Sequence, residues 1–359
     1  MLIQCTKKLL SELKLVPETT ADAEPLFSWH ANLLTINRRK TLVLMNDSNR
    51  YVIVLHGLKA KDIKNIEVLI LEAIRETFRD EGIKDEVIEA FISSSKKFTY
   101  TTTKDRTMVA RLNKACENVL YFEEDLIQQT INQVKMNKRI SRFLVGNGKK
   151  DYRYPNQDLY RDLEVLAGEA IFYSEALVLH VKLNLKNHHV WRKVMVPKRI
   201  TFPELHETLQ IVFGWKDYHL HEFITFKENL ERQPIVRLVC HEEALNHPSR
   251  IPMRIETGEK LVDYLPAKIS YLYDFGEGWE HEIIIENERD DYDQNFPVCI
   301  DGGGNTPPED VGGEYGYEAF LKIISNPNHP EHSFMVSWGI SQGYSEFDID
   351  MINRSLKSM

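Results

Sequence analysis

The chain has 359 residues, of which 42% are hydrophobic and 28% charged, and its net charge is −9. This length favours two domains, and the composition is that of a globular protein with enough apolar residues for sizeable cores. No run of 18 apolar residues and no secretory signal is present, so we expect a cytoplasmic protein without membrane contacts.

Charge is divided unevenly along the chain. Residues 174–359 hold 30 acidic and 18 basic residues, whereas residues 1–173 hold 24 and 27. An acidic surface repels phosphate backbones, so nucleic-acid binding is predicted only for the N-terminal half. Its basic groups, including "NRRK" (37–40), equally fit a solvated face. The four cysteines stand singly, which argues against a zinc knuckle or a disulfide framework.

The first domain is predicted over residues 1–146 as an α+β unit. Leucine spacing predicts a helix at 6–15, and the turn residues "NDSN" predict a β-hairpin at 41–55. An apolar stripe from Ile63 to Phe78 predicts a helix that ends at Gly82. Helical patterning continues over 84–95 and 105–145.

The polar, turn-rich stretch "GNGKKDYRYPNQDLY" begins a predicted linker. We place this linker at residues 147–172 and expect a connecting helix within it, at about 161–171.

The second domain is predicted over residues 173–359. Alternating apolar residues predict strands at 176–185 and in the "HHVWRKVMVP" that follows. A helix is expected at 201–215, a strand at 218–226, a hairpin at 269–273 and 279–286, and a helix at 316–325 after a glycine-rich loop. The order of elements favours a mainly antiparallel sheet with packed helices, hence an α+β fold.

Four motifs also carry a family resemblance. "VWRKVMVP", "LHETLQIVFGWKDYHLHEF", "YLYDFGEGWEHEIIIE" and "PPEDVGGEYGYEAFL" occur in the order and spacing of the plasmid-pRi ORF-three-like family. The second domain resembles this family over about 174–355. Residues 1–90, with "CTKKLLSEL" and "SWHANLLTINRRK", resemble a small bacterial domain of unknown function that precedes it in some proteins.

The resemblance implies an α+β fold and an association with plasmids and other mobile elements, but no biochemical activity. Many members have cysteines around the Pro-Pro-Glu-Asp motif, where this chain has Thr306 and Val311. This difference weakens a thiolate-zinc interpretation.

Three histidines are candidate ligands of a divalent metal, the cofactor that these residue types could bind. His219 and His221 are two positions apart on a predicted strand and would share a face. With His281 and a nearby acid they could complete a zinc or iron site. Because H-x-H alone is a weak pattern, hydrogen-bonded histidines in the core or on the sheet face are the alternative.

Carboxylates and aromatic residues of three motifs are candidates for the same site. Asp274, Glu277, Glu309 and Asp310 could hold a cation or perform acid–base chemistry, or they could cap turns and a helix. We predict that they meet at one concave surface, with Trp279 or Tyr317 at its wall. The alternative is that each caps its own turn.

No catalytic motif is complete. The glycine-rich stretches lack the lysine of a phosphate loop, and no recombinase-like cluster of arginines is present. The sequence therefore favours a binding or interaction protein of a mobile element, with an acidic, histidine-containing cleft for a protein or peptide partner. The alternatives are a metal-dependent hydrolase or nuclease that uses His219, His221 and His281, and a nucleic-acid-binding N-terminal domain.

Overall fold

The computed structural model describes residues 1–19, 23–146, 148, 151–227, 233–292, 294–357 and 359. They form two compact units, Met1–Tyr173 and Ser174–Met359. Each unit combines a sheet with packed helices, so the predicted α+β class is confirmed.

A five-stranded sheet with the order β4-β3-β2-β1-β5 organises the first unit. Strand β1 is parallel to β2 and to β5, and the other pairs are antiparallel. The strands are β1 Leu2–Cys5, β2 Ser28–Ile36, β3 Arg39–Asn46, β4 Val52–Leu58 and β5 Thr99–Thr102. The hairpin predicted at 41–55 corresponds to β3 and β4.

Helices cover both faces of this sheet. Leu42 and Leu44 of β3 join one core with helix α3, while Val43 and Met45 join another with α5 and α6. The helices are α1 Lys7–Leu13, α2 Ala60–Lys64, α3 Ile66–Asp80, α4 Asp85–Ser94, α5 Arg106–Tyr121, α6 Val134–Ser141 and α7 Pro155–Ala167.

Helix α7 modifies the predicted linker. It begins six residues before the expected connecting helix, at Pro155, because proline suits the first position of a helix. Its Leu159 and Leu163 are buried in the first core, so the helix belongs to the first unit. A short hairpin of β6 Val145–Gly146 and β7 Tyr152–Arg153 precedes it.

The second unit is built on an eight-stranded sheet with the order β12-β11-β10-β13-β14-β8-β9-β15. Only the β11–β12 pair among these strands is parallel. The strands are β8 Ala176–Asn184, β9 His189–Pro197, β10 His221–Lys227, β11 Pro234–Val239, β12 Met253–Ile255, β13 Ala267–Tyr273, β14 Trp279–Arg289 and β15 Val298–Gly303.

The described part of this unit has four α-helices beside the sheet: α8 Phe202–Phe213, α9 Gly313–Ile324, α10 His332–Ser341 and α11 Ile349–Leu356. Helix α8 begins with a capping box between Thr201 and Glu204, and it ends at Gly214 in a left-handed conformation. Its apolar face packs on the sheet.

The acidic residues of β14 mostly lie on the solvent side of the sheet. Trp279, His281 and Ile283 are buried, whereas Glu280 and Glu286 are exposed, as strand alternation requires. Each helix of the described residues is too short or too polar to cross a bilayer.

Candidate functional site

Three loops of the second unit place carboxylates around one imidazole. His219 Nε2 lies 3.1 Å from Asp310 Oδ1, 3.6 Å from Asp274 Oδ2 and 3.6 Å from Glu309 Oε2. His219 precedes β10, Asp274 begins the β13–β14 turn, and Glu309 and Asp310 precede α9. We call these four residues the His219 site.

Glu309 is the most buried carboxylate of the site, with 1% of the residue exposed. Its Oε1 accepts hydrogen bonds from the Lys216 backbone N–H at 2.8 Å and from the Tyr273 hydroxyl at 3.0 Å. Its Oε2 is buried without a hydrogen-bond partner in the described residues. One oxygen therefore fixes the side chain, and the other is turned toward His219.

In Asp274, as in Glu309, one carboxylate oxygen accepts hydrogen bonds and the other faces His219. Oδ1 accepts from the backbone N–H groups of Gly276 and Glu277 at 2.9 and 3.3 Å, while Oδ2 faces His219. Asp274 has a φ of +54°, which an aspartate tolerates better than most residues. The turn thus holds one carboxylate oxygen toward the site.

Glu277 borders the site and caps helix α9. Its Oε1 accepts from the Gly312 backbone N–H at 2.6 Å, and its Oε2 is buried without a hydrogen-bond partner among the described residues. Burial raises the pKa of Glu277, and the neighbouring Asp274 and Asp310 raise it further. These carboxylates therefore share one electrostatic environment.

His221 belongs to a second cluster. Its ring stacks on that of His206 with centroids 3.5 Å apart, and its Nε2 lies 3.0 Å from Glu256 Oε2. His206 Nε2 lies 2.9 Å from Asp217 Oδ1, and its Nδ1 lies 2.8 Å from the Tyr271 hydroxyl. Burial, and next the neighbouring His221, lower the pKa of His206 to about 4. Both histidines thus have partners apart from the His219 site.

His281 lies in the hydrophobic core. It is completely buried, its ring packs against Phe213, Trp215 and Tyr271, and burial lowers its pKa to about 3. The structure therefore does not join His219, His221 and His281 in one ligand set. The pleat explains this result, because His281 shares the inward face of β14 with Trp279 and Ile283.

The two predicted wall aromatics are core residues. Trp279 is 2% exposed and packs near Trp215, and Tyr317 is 2% exposed and donates its hydroxyl to Asn305 O at 2.9 Å. Tyr273 is the aromatic residue that contacts the site, with its ring 6.0 Å from that of His219. The sequence did not single out Tyr273, because the alternation of β13 already predicts a buried apolar residue at this position.

His206, Asp217 and Glu256 were also missed. They lie on α8, on the loop after it and beyond β12, so no short motif connects them. The one sequence feature that could have indicated His206 is that it interrupts the apolar face of a predicted helix. Glu256 carried no such signal, although it is only 5% exposed.

Comparisons with known proteins cover both units. A model of "Plasmid pRiA4b ORF-3-like protein" matches residues 175–356, and a model of "Domain of unknown function (DUF6933)" matches residues 2–158. These matches have the order that the sequence predicted, and the N-terminal one extends well beyond residue 90.

Two proteins are similar to about half of this chain. The uncharacterized protein y4hQ of Sinorhizobium fredii (strain NBRC 101917 / NGR234) is 33% identical over 171 residues, which are 47% of this chain and 84% of that protein. A crystal structure of a protein of unknown function, MM3350 from Methanosarcina mazei Go1, has 27% identity and a TM-score of 0.42, covering 50% of this chain and 97% of the other.

Proposed function

The chain belongs to the plasmid pRiA4b ORF-3-like family, and we propose that its second unit binds a divalent transition-metal ion at the His219 site. The observation that carries this proposal is Glu309 Oε2, a buried carboxylate oxygen without a hydrogen-bond donor among the described residues. It faces His219, which also lies beside Asp274 and Asp310. A buried charge needs a compensating partner, and a cation within this group would provide it.

The spacing of the donor atoms fits a metal ion. Ligands at about 2.1 Å from a tetrahedral ion stand roughly 3.4 Å apart. The distances from His219 Nε2 to the three carboxylate oxygens are 3.1, 3.6 and 3.6 Å. One donor atom each of His219, Asp274 and Asp310 also lie within 4.8 Å of one another.

The donor types favour zinc, manganese or iron over magnesium and calcium. An imidazole nitrogen suits first-row transition metals, whereas magnesium and calcium take oxygen ligands. His219, Asp274 and Asp310 form the group of three that lies within mutual reach, and Glu309 as a fourth ligand would fill a tetrahedral shell. A filled shell is typical of structural zinc sites, while catalytic zinc keeps one position open. We therefore favour ion-dependent binding over metal-dependent hydrolysis.

Exposed aromatic residues stand close to the site residues in the sequence and suit a protein or peptide partner. Tyr218, Phe275 and Tyr315 are 66%, 50% and 86% exposed. Tyr218 and Phe275 are the sequence neighbours of His219 and Asp274, and Tyr315 lies in the first turn of α9. Aromatic side chains dominate the energetics of many protein interfaces. An ion that connects the three loops would fix these side chains relative to one another.

Metal binding tests the proposal directly. Chelator-treated full-length protein should bind about one equivalent of Zn²⁺ or Mn²⁺ in calorimetry and elemental analysis. The Glu309→Gln variant, which keeps an acceptor for Lys216 and Tyr273, should bind the ion at least about tenfold more weakly. Glu280→Gln is the matched control, because it removes an exposed carboxylate of the same unit.

Two results would overturn this assignment. One is the absence of stoichiometric ion binding by the wild-type chain. The other is a loss of binding in His221→Gln that Glu309→Gln does not share, which would place the ion at the His206–His221 cluster. Hydrolysis of a model phosphodiester that depends on the ion and on Asp310 would instead support the enzymatic alternative.

A further inference from the structure

A second feature of this unit is a cavity that the His219 site does not use. Its volume is about 330 Å³, and its lining includes Arg192, Phe213, Trp215, Thr306, Tyr344 and Phe347. This volume lies at the lower end of the range for small-molecule sites.

Arg192 is a buried cation that has no ionic partner among the described residues. It is 2% exposed, and its Nε donates to Val212 O at 2.8 Å. Nη1 donates to the carbonyls of Trp191, Gly303 and Gly304, and Nη2 donates to Thr306 Oγ1 at 3.1 Å. All these acceptors are neutral. Within the described residues no carboxylate compensates the charge, which is expensive for a buried ion.

The surroundings of Arg192 are built closely around its side chain. The guanidinium carbon lies 4.4 Å from the centre of the Phe347 ring and 5.2 Å from that of Phe213. A Cβ at Gly302 would lie 2.6 Å from Phe347 Cζ and 3.1 Å from Arg192 Cδ. Gly302 lies near the end of β15, and its lack of a side chain allows close packing around the arginine.

Two donors remain available beside the cavity. A guanidinium has five N–H groups, and Nη2 uses one of its two for Thr306. Because the Thr306 hydroxyl accepts that hydrogen bond, its own hydrogen can be donated elsewhere. Burial lowers the pKa of Arg192 to about 10, which leaves the side chain charged at neutral pH.

Acidic residues elsewhere in the lining limit the charge of a ligand. Glu346 and Asp348 also border the cavity, and Asp348 Oδ1 accepts from the first backbone N–H groups of helix α11. A dianion such as phosphate would be repelled by them, whereas one negative charge could approach Arg192. The aromatic walls favour an apolar body on the ligand.

We propose that this cavity binds a small organic monocarboxylate, with its carboxylate on Arg192 and Thr306 and its apolar body against Phe213 and Phe347. A carboxylate would supply the missing counter-charge and accept both available donors. The proposal is independent of the His219 site.

Benzoate is a suitable probe, with benzamide as its neutral counterpart. Metal-free full-length protein should bind benzoate in ligand-observed NMR and calorimetry at least about tenfold more tightly than benzamide. Thr306→Val keeps the side-chain shape and should weaken benzoate binding several-fold. Lys193→Gln, which removes a neighbouring cation outside the cavity, should leave it unchanged. Glu309→Gln should also leave it unchanged, which separates this cavity from the ion site.

Arg192→Lys is the stronger variant, and circular dichroism establishes whether it folds. Folded Arg192→Lys should lose most of the benzoate affinity, because an ammonium cannot reproduce the fork of donors. If that variant unfolds, the comparison of Thr306→Val with Lys193→Gln decides. Equal affinity for benzoate and benzamide, or inorganic phosphate binding more tightly than benzoate, would overturn the proposal.

Discussion

Each unit contains a glutamate that is almost completely buried, and the two differ in their partners. Glu81 of the first unit is 2% exposed and receives hydrogen bonds from Arg142 at 2.9 and 2.7 Å and from Tyr51 and Tyr160. Burial alone would raise the pKa of Glu81, but Arg142 holds it below its usual value.

Glu309 of the second unit is 1% exposed and has no arginine or lysine side chain bound to it in the described residues. Its side-chain neighbours are Tyr273, which donates a hydrogen bond at 3.0 Å, and His219, whose Nε2 lies 3.6 Å away. The first glutamate is therefore part of an ion pair, whereas the second has one oxygen without a hydrogen-bond donor among the described residues. A buried and compensated carboxylate is thus accounted for by the fold, whereas a buried carboxylate without a compensating group is a candidate for a functional site.

Removal of the cation beside Glu81 should have the largest effect on stability. We expect Arg142→Leu to lower the free energy of unfolding by about 3–5 kcal/mol, because the buried Glu81 would lose its two hydrogen bonds from the guanidinium. Arg79→Leu is the matched control, since Arg79 and Asp85 form an ion pair with both side chains 56% exposed, and should change stability by less than about 1 kcal/mol. Denaturant unfolding measures both. Equal effects would contradict the structural role assigned to Glu81.

Neutral substitution of the two glutamates should have opposite consequences. Glu81→Gln removes the partner of Arg142 and should cost about 2–4 kcal/mol. Glu309→Gln removes an uncompensated charge while keeping an acceptor at Oε1, so metal-free protein should be as stable as the wild type or slightly more stable. The same unfolding experiment compares them. A marked loss of stability in metal-free Glu309→Gln would show that the carboxylate is already compensated.

Local sequence patterns predicted much of the scaffold. Caps, turns and alternation indicated α8, the β3–β4 hairpin and the inward face of β14, since each depends on neighbours close in sequence. The last two helices and β15 were not predicted. Helix α10 has no amphipathic stripe and β15 ends in two glycines, whereas α11 is strongly amphipathic, so its pattern was present in the sequence and was overlooked.

The candidate site was predictable only in part. The three motifs of Asp274, His219 and Glu309 stood out because alternation and capping left their charges unexplained. Strand β10, however, begins at His221 instead of residue 218, so His219 lies in the loop before it and the two histidines have separate partners. Which oxygen of a carboxylate caps a turn and which is left over depends on contacts between distant segments, and no local pattern encodes it.

Buried histidines give the second unit a predicted acid sensitivity. His206 and His281 have folded-state pKa values of about 4 and about 3, below the usual value of about 6.5. A depressed pKa means that protonation favours the unfolded state. The stabilisation is therefore complete above about pH 6.5 and is lost as pH falls toward 4 and 3.

Free energies of unfolding measured between pH 7 and pH 4 test whether stability falls as the pH is lowered. Each such histidine should contribute up to about 1.4 kcal/mol of lost stability per pH unit in that window. His281→Phe, which places another ring among Phe213 and Trp215, should have a shallower pH dependence than the wild type. His247→Gln changes an exposed histidine and should keep the wild-type slope. A slope that His281→Phe leaves unaltered would contradict the depressed pKa of His281.

The smallest expected effect distinguishes the two tyrosines that donate to the buried glutamates. Tyr51 donates to Glu81 at 2.5 Å, and Tyr273 donates to Glu309 at 3.0 Å. Either substitution by phenylalanine removes one buried hydrogen bond and should cost about 1 kcal/mol. Only Tyr273→Phe should also weaken metal binding, by about three- to tenfold, because Tyr273 orients a proposed ligand whereas Tyr51 orients an ion-pair partner. Calorimetric titration with Zn²⁺ separates the two variants, and the same loss of affinity in both would mean that Tyr273 acts through overall stability alone.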